Sequence, residues 1–162
     1  MEGKSMVKVI MGLLTKLAYF FKASLRARRK AIQYILSDLY VNRDLAYAVH
    51  KSVKTKETWA SLTNLTSCGY NKVFEEKYSL KEILGDNLDP DIMVEVADNM
   101  NDRRLYEWST TWNAVDALIM VTFRKIETMK YKVANGEDVK PITLKYLVYL
   151  INVSISQLKK LD

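Results

Sequence analysis

Residues 7–52 read VKVIMGLLTKLAYFFKASLRARRKAIQYILSDLYVNRDLAYAVHKS. The stretch has no proline, and its only glycine is Gly12. Apolar residues return at helical spacing: Ile10, Leu13, Leu14, Leu17, Phe20 and Phe21, then Ile32, Ile35, Leu36, Leu39, Ala46 and Val49. This pattern predicts one long helix or two nearly continuous ones. Any break belongs at Arg26-Ala27-Arg28-Arg29-Lys30, where the apolar stripe thins.

Beyond this helix the punctuation is sparse. Residues 53–57 read as a connection, residues 57–65 as a short helix carrying Trp59 and Leu62, and residues 66–71 as a turn or loop around Gly69. Ser79-Leu80-Lys81-Glu82 is a capping-box pattern that starts a short helix ended by Gly85. Asp89-Pro90 supplies an N-cap and a first-turn proline for the next helix. Residues 99–102 interrupt that helix, and Asn101 is expected to recap a long one from 102 to 134, which Asn135-Gly136 stops. Residues 142–161 are expected to be helical rather than a lone strand, because an unpaired strand leaves its backbone groups without partners.

The fold class expected is therefore all-α. It is a single-domain bundle of three long helices plus short ones, with an extended N-terminal helix. In domain terms, an apolar-then-basic segment at 1–30 precedes a bundle body at 31–162. A chain of 162 residues with 49% hydrophobic residues suits one well-formed core and is too apolar for disorder. One cysteine, Cys68, excludes an intramolecular disulfide. With a single histidine, His50, it also nearly excludes a His/Cys zinc site within one chain.

The net charge of +6 is unevenly spread. Residues 1–57 carry 12 Lys/Arg against 4 Asp/Glu, a charge of +8; residues 58–108 carry −5 and residues 109–162 carry +3. Either the basic and acidic segments lie side by side, or the basic third meets an anionic partner such as a membrane surface or nucleic acid. Lys22, Arg26, Arg28, Arg29 and Lys30 are the candidate anion-binding residues.

The apolar run 6–25 followed by basic residues has the order of a membrane helix with flanking charge. Its nine Val, Ile, Leu and Phe residues favour insertion by about 3 to 5 kcal/mol in total, and central Lys16 costs about 2.5 to 3.5 kcal/mol. With Lys8 and Lys22 added, the balance is near zero. A core or oligomer helix, or one lying in the membrane interface, avoids that cost. No small-residue cleavage pattern follows the run, so a secretory signal is not expected.

Few residues suggest chemistry. The five glycines are too scattered for a phosphate-binding loop. Glu95, Asp98 and Asp102 would share a helix face and could hold a hard cation, although pairing with lysines and arginines of the basic third is the preferred expectation. Cys68 lacks the strongly positive setting that a reactive thiolate needs. Arg43-Asp44-Leu45-Ala46-Tyr47-Ala48-Val49-His50 resembles the Arg-x(4–6)-His motif of HEPN ribonucleases, in which a polar residue often follows the arginine. That resemblance implies an all-α dimer in which Arg43 holds a phosphate and His50 moves a proton during RNA cleavage.

Tyr19, Tyr34, Tyr40 and Tyr47 interleave with basic residues, as base-stacking residues do, but at helical spacing they read first as boundary residues of a bundle. Trp59, Trp108 and Trp112 read as core.

The function expected is a non-enzymatic interaction module without cofactor or metal. Its basic N-terminal helix docks on a protein partner, another copy of itself or an anionic membrane face. RNA or DNA binding is the alternative, and HEPN-like ribonuclease activity the third. The expected location is the cytoplasm, with the inner membrane face as its extension.

Overall fold

The 7–52 stretch folds as one unbroken helix, α1 (Glu2–Lys51), passing through Arg26–Lys30 without a break. The computed structural model describes the backbone of residues 2–52, 55–85, 87–107 and 114–161. All regular structure among these residues is helical: α2 (Lys56–Ala60), a 3-10 turn (Ser61–Asn64), α3 (Cys68–Glu75), α4 (Leu80–Leu84), α5 (Pro90–Asn99), α6 (Arg104–Glu107), α7 (Val115–Ala134) and α8 (Pro141–Leu161). The protein is one all-α domain.

Local chemistry sets most of the boundaries. Thr55 Oγ1 accepts the amide of Thr58 at the start of α2. Ser79 Oγ accepts the Glu82 amide, and Asp89 Oδ1 accepts the Asp91 amide ahead of Pro90, as their sequence patterns require. Helices α3, α5 and α7 all end in a left-handed residue: Lys77 (φ 59°), Asn101 (φ 51°) and Gly136 (φ 70°). In each case the next amide reaches back five residues: Tyr78 to Val73, Asp102 to Ala97 and Glu137 to Lys132.

Three expectations are corrected. Residues 66–71 are not all loop, because α3 starts at Cys68 and includes Gly69. That glycine is there for close approach: a Cβ on it would lie 2.2 Å from the Tyr34 carbonyl oxygen. Asn101 does not cap a following helix but closes α5 in the left-handed position. The single helix expected over 102–134 is instead α6 and α7, and Ala114 before α7 is extended (φ −136°, ψ 144°). Trp108 and Trp112 lie outside the described residues.

Helix α8 is the centre of the bundle. Leu144, Leu147, Val148, Tyr149, Leu150, Ile151, Val153, Ile155 and Leu158 bury nearly its whole circumference. Helix α1 packs on α8 and α3, while α5 and α7 also pack on α8. The main core joins Ile32, Ile35 and Leu39 of α1 to Phe123 and Ile126 of α7 and Leu147 and Ile151 of α8. A second cluster joins Met93, Ala97, Leu105 and Leu118 to Tyr149 and Val153.

Two buried amides pin the connections to this core. Asn42 of α1 donates to the Thr66 carbonyl and accepts the Thr66 amide, both at 2.7 Å. Gln157 of α8 donates to the Asp89 carbonyl at 2.7 Å and accepts the Asp89 amide at 3.1 Å. Each side chain satisfies both backbone groups of one loop residue, which removes the penalty of burying them unpaired.

Candidate docking surface

The two halves of α1 have different fates. From Ala31 to Val49 one face is buried: Ala31, Ile32, Ile35, Asp38, Leu39, Asn42, Ala46 and Val49. From Met11 to Arg26 every residue is exposed. No residue from Met11 to Arg26 is buried against another described part of the chain.

This N-terminal arm nonetheless carries the same stripe. Eighteen residues make five turns at about 3.6 residues per turn, so residue i and residue i+18 share one side of the helix. Leu13, Leu14, Leu17 and Phe21 thus lie in register with Ala31, Ile32, Ile35 and Leu39, all fully covered. Leu17 is 53% exposed and Phe20 76%. At about 100° per residue, Met11, Leu13, Leu14, Leu17, Phe20, Phe21 and Leu25 occupy one half of the arm, whereas Lys16, Lys22 and Arg26 occupy the other. No acidic residue occurs between Gly3 and Ser37. Contiguous exposed apolar surface of this kind makes the arm the candidate docking surface. No helix of the described residues is long and apolar enough to cross a membrane, which counts against a spanning role for 7–25.

The basic residues expected to bind anions do not act alike. Lys22, Arg26 and Lys30 line a depression of about 310 Å³ with Tyr19 and Tyr78, on the polar side where the arm leaves the body. Lys30 is already engaged, with both Glu76 carboxylate oxygens at 2.9 Å. That hydrogen bond raises the Lys30 pKa and lowers that of Glu76. Arg28 is half-buried, its Nε enclosed without a hydrogen-bond partner, and Arg29 is exposed. The basic and acidic segments therefore meet through Lys30 and Glu76, and Lys22 and Arg26 remain at the mouth of the depression.

Tyr34, Tyr40 and Tyr47 are used within the chain, whereas Tyr19 is exposed. Lys30 and Lys72 lie over the Tyr34 ring at 5.4 and 5.5 Å, Arg43 and Lys159 over Tyr40 at 5.1 and 5.5 Å, and Lys51 over Tyr47 at 4.5 Å. Trp59 packs against the main core.

Arg43 and His50 lie two turns apart on one side of α1. Arg43 Nε and Nη2 donate to Asp44 Oδ1 at 3.0 and 2.8 Å. Asp44, the polar residue of the HEPN-like spacing, thus holds the guanidinium. A surface cavity of about 590 Å³ is lined by Arg43, Asp44, Tyr47, Ala48 and Asn152, and His50 is not part of its wall. His50 sits half-buried in the last turn of α1.

Of the three carboxylates expected to share a face, Glu95 and Asp98 lie three residues apart on α5, and only Asp102 is separated from them. Asp98, in the last turn of α5, accepts Arg103 Nε at 3.0 Å. Asp102 lies beyond the helix and accepts Arg104 Nε and Lys145 Nζ, each at 2.9 Å. Their partners are basic, as expected, but come from α6, α8 and the turn before α6 rather than from the basic third. Among the described residues no group of three or more His, Cys, Asp or Glu is placed to hold a metal ion. Cys68 is exposed at the start of α3.

Sequence reasoning missed two structural roles in α1. Asp38 and Asn42 are polar residues within its apolar stripe, which is the sign of a buried hydrogen-bonding duty. Asp38 accepts the Tyr70 amide at 2.9 Å beside Gly69, and burial raises its pKa.

No protein-family model matches the chain. No curated protein and no solved structure is significantly similar to it.

Proposed function

We propose that this protein is a non-enzymatic interaction module whose bundle carries the N-terminal helix of α1 as a docking arm. One observation carries this reading: the apolar stripe that α8 and α3 cover along the second half of α1 continues in register from Met11 to Leu25, where every residue is exposed. Full burial of a leucine or phenylalanine side chain is worth about 1.5 to 3 kcal/mol, so seven large apolar residues on one face strongly favour whatever covers them. The candidate occupants are a protein partner, another copy of the chain and an anionic membrane face.

Deleting residues 1–25 tests the role of the arm. The remaining chain is expected to keep its helical signal and cooperative unfolding, to gain solubility and to lose self- or partner association. Unfolding of that truncated protein would place the segment in the core and end the docking reading.

A second reading rests on the depression at Lys22 and Arg26. Two cations flanked by the rings of Tyr19 and Tyr78 suit a phosphate with an adjoining base, the chemistry of nucleic-acid binding. Its signature is affinity that falls steeply with salt through counterion release.

A further inference from the structure

We infer that the arm's stripe is covered by the arm of a second copy of this chain, packed antiparallel. This rests on the docking reading above and names its occupant. The first constraint is the side of α1 on which the stripe lies. Leu13, Leu14, Leu17 and Phe21 are in register with Ala31, Ile32, Ile35 and Leu39, so the arm's stripe and the chain's own body lie on the same side of one continuous helix. On that side α8 packs directly on α1, and α5 packs on α8 in a second core cluster that contains no residue of α1. At 8 to 10 Å between packed helices, the body stands about 20 Å proud of the α1 axis. A flat bilayer cannot reach the stripe past that step. A rod one helix thick, laid end-on to the body, can.

The second constraint selects the rod. Residues 2–26 make an arm about 37 Å long. In an antiparallel pair, each arm runs from its partner's body to its partner's N-terminus, so each stripe is covered along its whole length. A parallel pair fails, because both bodies would sit at the same end on the seam side and occupy each other's place. The antiparallel arrangement has two-fold symmetry and closes on itself, giving a dimer rather than a filament.

The third constraint is charge. Two arms without acidic residues from Gly3 to Ser37 would repel if their basic sides met. In this pairing Lys16, Lys22 and Arg26 lie on the half turned away from the seam, in water, where screening is strongest. Along the seam Leu14 meets its mate, Leu17 meets Met11 and Phe21 meets Val7, all apolar.

The two-fold axis falls at the middle of the arm, beside Leu14, and this makes the pairing testable by cross-linking in the full-length chain. With Cys68→Ser as background, Leu14→Cys places a thiol next to its symmetry mate, within disulfide reach. Phe21→Cys places its thiol about four turns from its mate, out of reach. Sedimentation equilibrium is expected to give twice 18.8 kDa for the wild type. Mild oxidation should convert most of Leu14→Cys, and little of Phe21→Cys, to a covalent dimer. Leu17→Asp should give a monomer with an unchanged helical signal. A monomeric wild type at 100 µM, a larger oligomer, or equal cross-linking at both positions overturns the proposal. So does a monomer that co-sediments with vesicles of anionic phospholipid. In each of those cases a folded residue 26–162 fragment keeps the docking reading alive, whereas an unfolded fragment removes both.

Discussion

Leu17 and Ile35 lie five turns apart on one face of α1, yet Leu17 is 53% exposed and Ile35 is fully covered. One helix thus carries the same side chemistry twice, once against its own core and once along a face that no described residue covers. Ile35→Ala should cost about 2 to 5 kcal/mol of stability at every protein concentration, through lost transfer energy and the cavity left behind. Leu17→Ala should shift the thermal midpoint only where the protein is concentrated enough to associate, and the shift should vanish on dilution. Calorimetry over a hundredfold range of concentration separates the two.

Gly69→Ala should be severely destabilising. The added Cβ would lie 2.2 Å from the Tyr34 carbonyl oxygen and 3.2 Å from Asp38 Oδ2, so α3 must shift away from α1. Overpacking of this kind costs about 1 to 3 kcal/mol or more. Urea denaturation is the measurement, and an unchanged midpoint would show that α3 is not held this closely.

Asn42→Ala strips the Thr66 amide and carbonyl of their buried partner. At about 1 to 3 kcal/mol for each group left unsatisfied, the expected loss is several-fold larger than for an exposed asparagine. Hydrogen exchange should report it first at the Thr66 amide.

Acid should weaken the link between α6 and α8. The guanidinium of Arg104 and the ammonium of Lys145 hold the Asp102 pKa well below the usual carboxylate range. A depressed acid contributes stability that is present above its unfolded-state pKa and is lost as pH falls through its folded-state value. Asp38 runs the other way: burial raises its pKa, so its contribution favours folding at low pH and fades as pH rises through that value. Asp102→Asn should therefore flatten the fall in stability below about pH 4, and Asp38→Asn should not. Denaturation midpoints from pH 2 to pH 7 would show the difference.

His50→Ala and Arg43→Ala are expected to change stability little and to leave no RNA-cleaving activity to lose. Arg43 is committed to Asp44, and the cavity that it lines does not include His50. RNase activity in the purified wild type that vanishes with His50→Ala would falsify this and restore the ribonuclease alternative.

The helix starts were legible because Ser79, Asp89 and Pro90 act on amides within their own turn. The ends were only partly so. Gly136 and Asn101 are residue types that favour the left-handed conformation, whereas Lys77 adopts it with no such local signal. Gly69 read as a breaker, since nothing local reveals that the Tyr34 carbonyl lies against it. The stripe from Leu13 to Leu25 was plain in the sequence, but its exposure was not. Periodicity identifies an apolar face without saying whether the chain is long enough to cover it.

A continuous α1 of 50 residues is about 75 Å long. A compact 162-residue globule has a radius of gyration of about 15 Å. The longest dimension of this molecule is thus set by one helix and not by its volume. In solution scattering a single chain would give a skewed distance distribution with a long tail. Two chains joined through their arms would give a second maximum, from two dense lobes held apart by a thin bar. The same rod-like bar would make the diffusion coefficient of the pair lower than its mass alone requires.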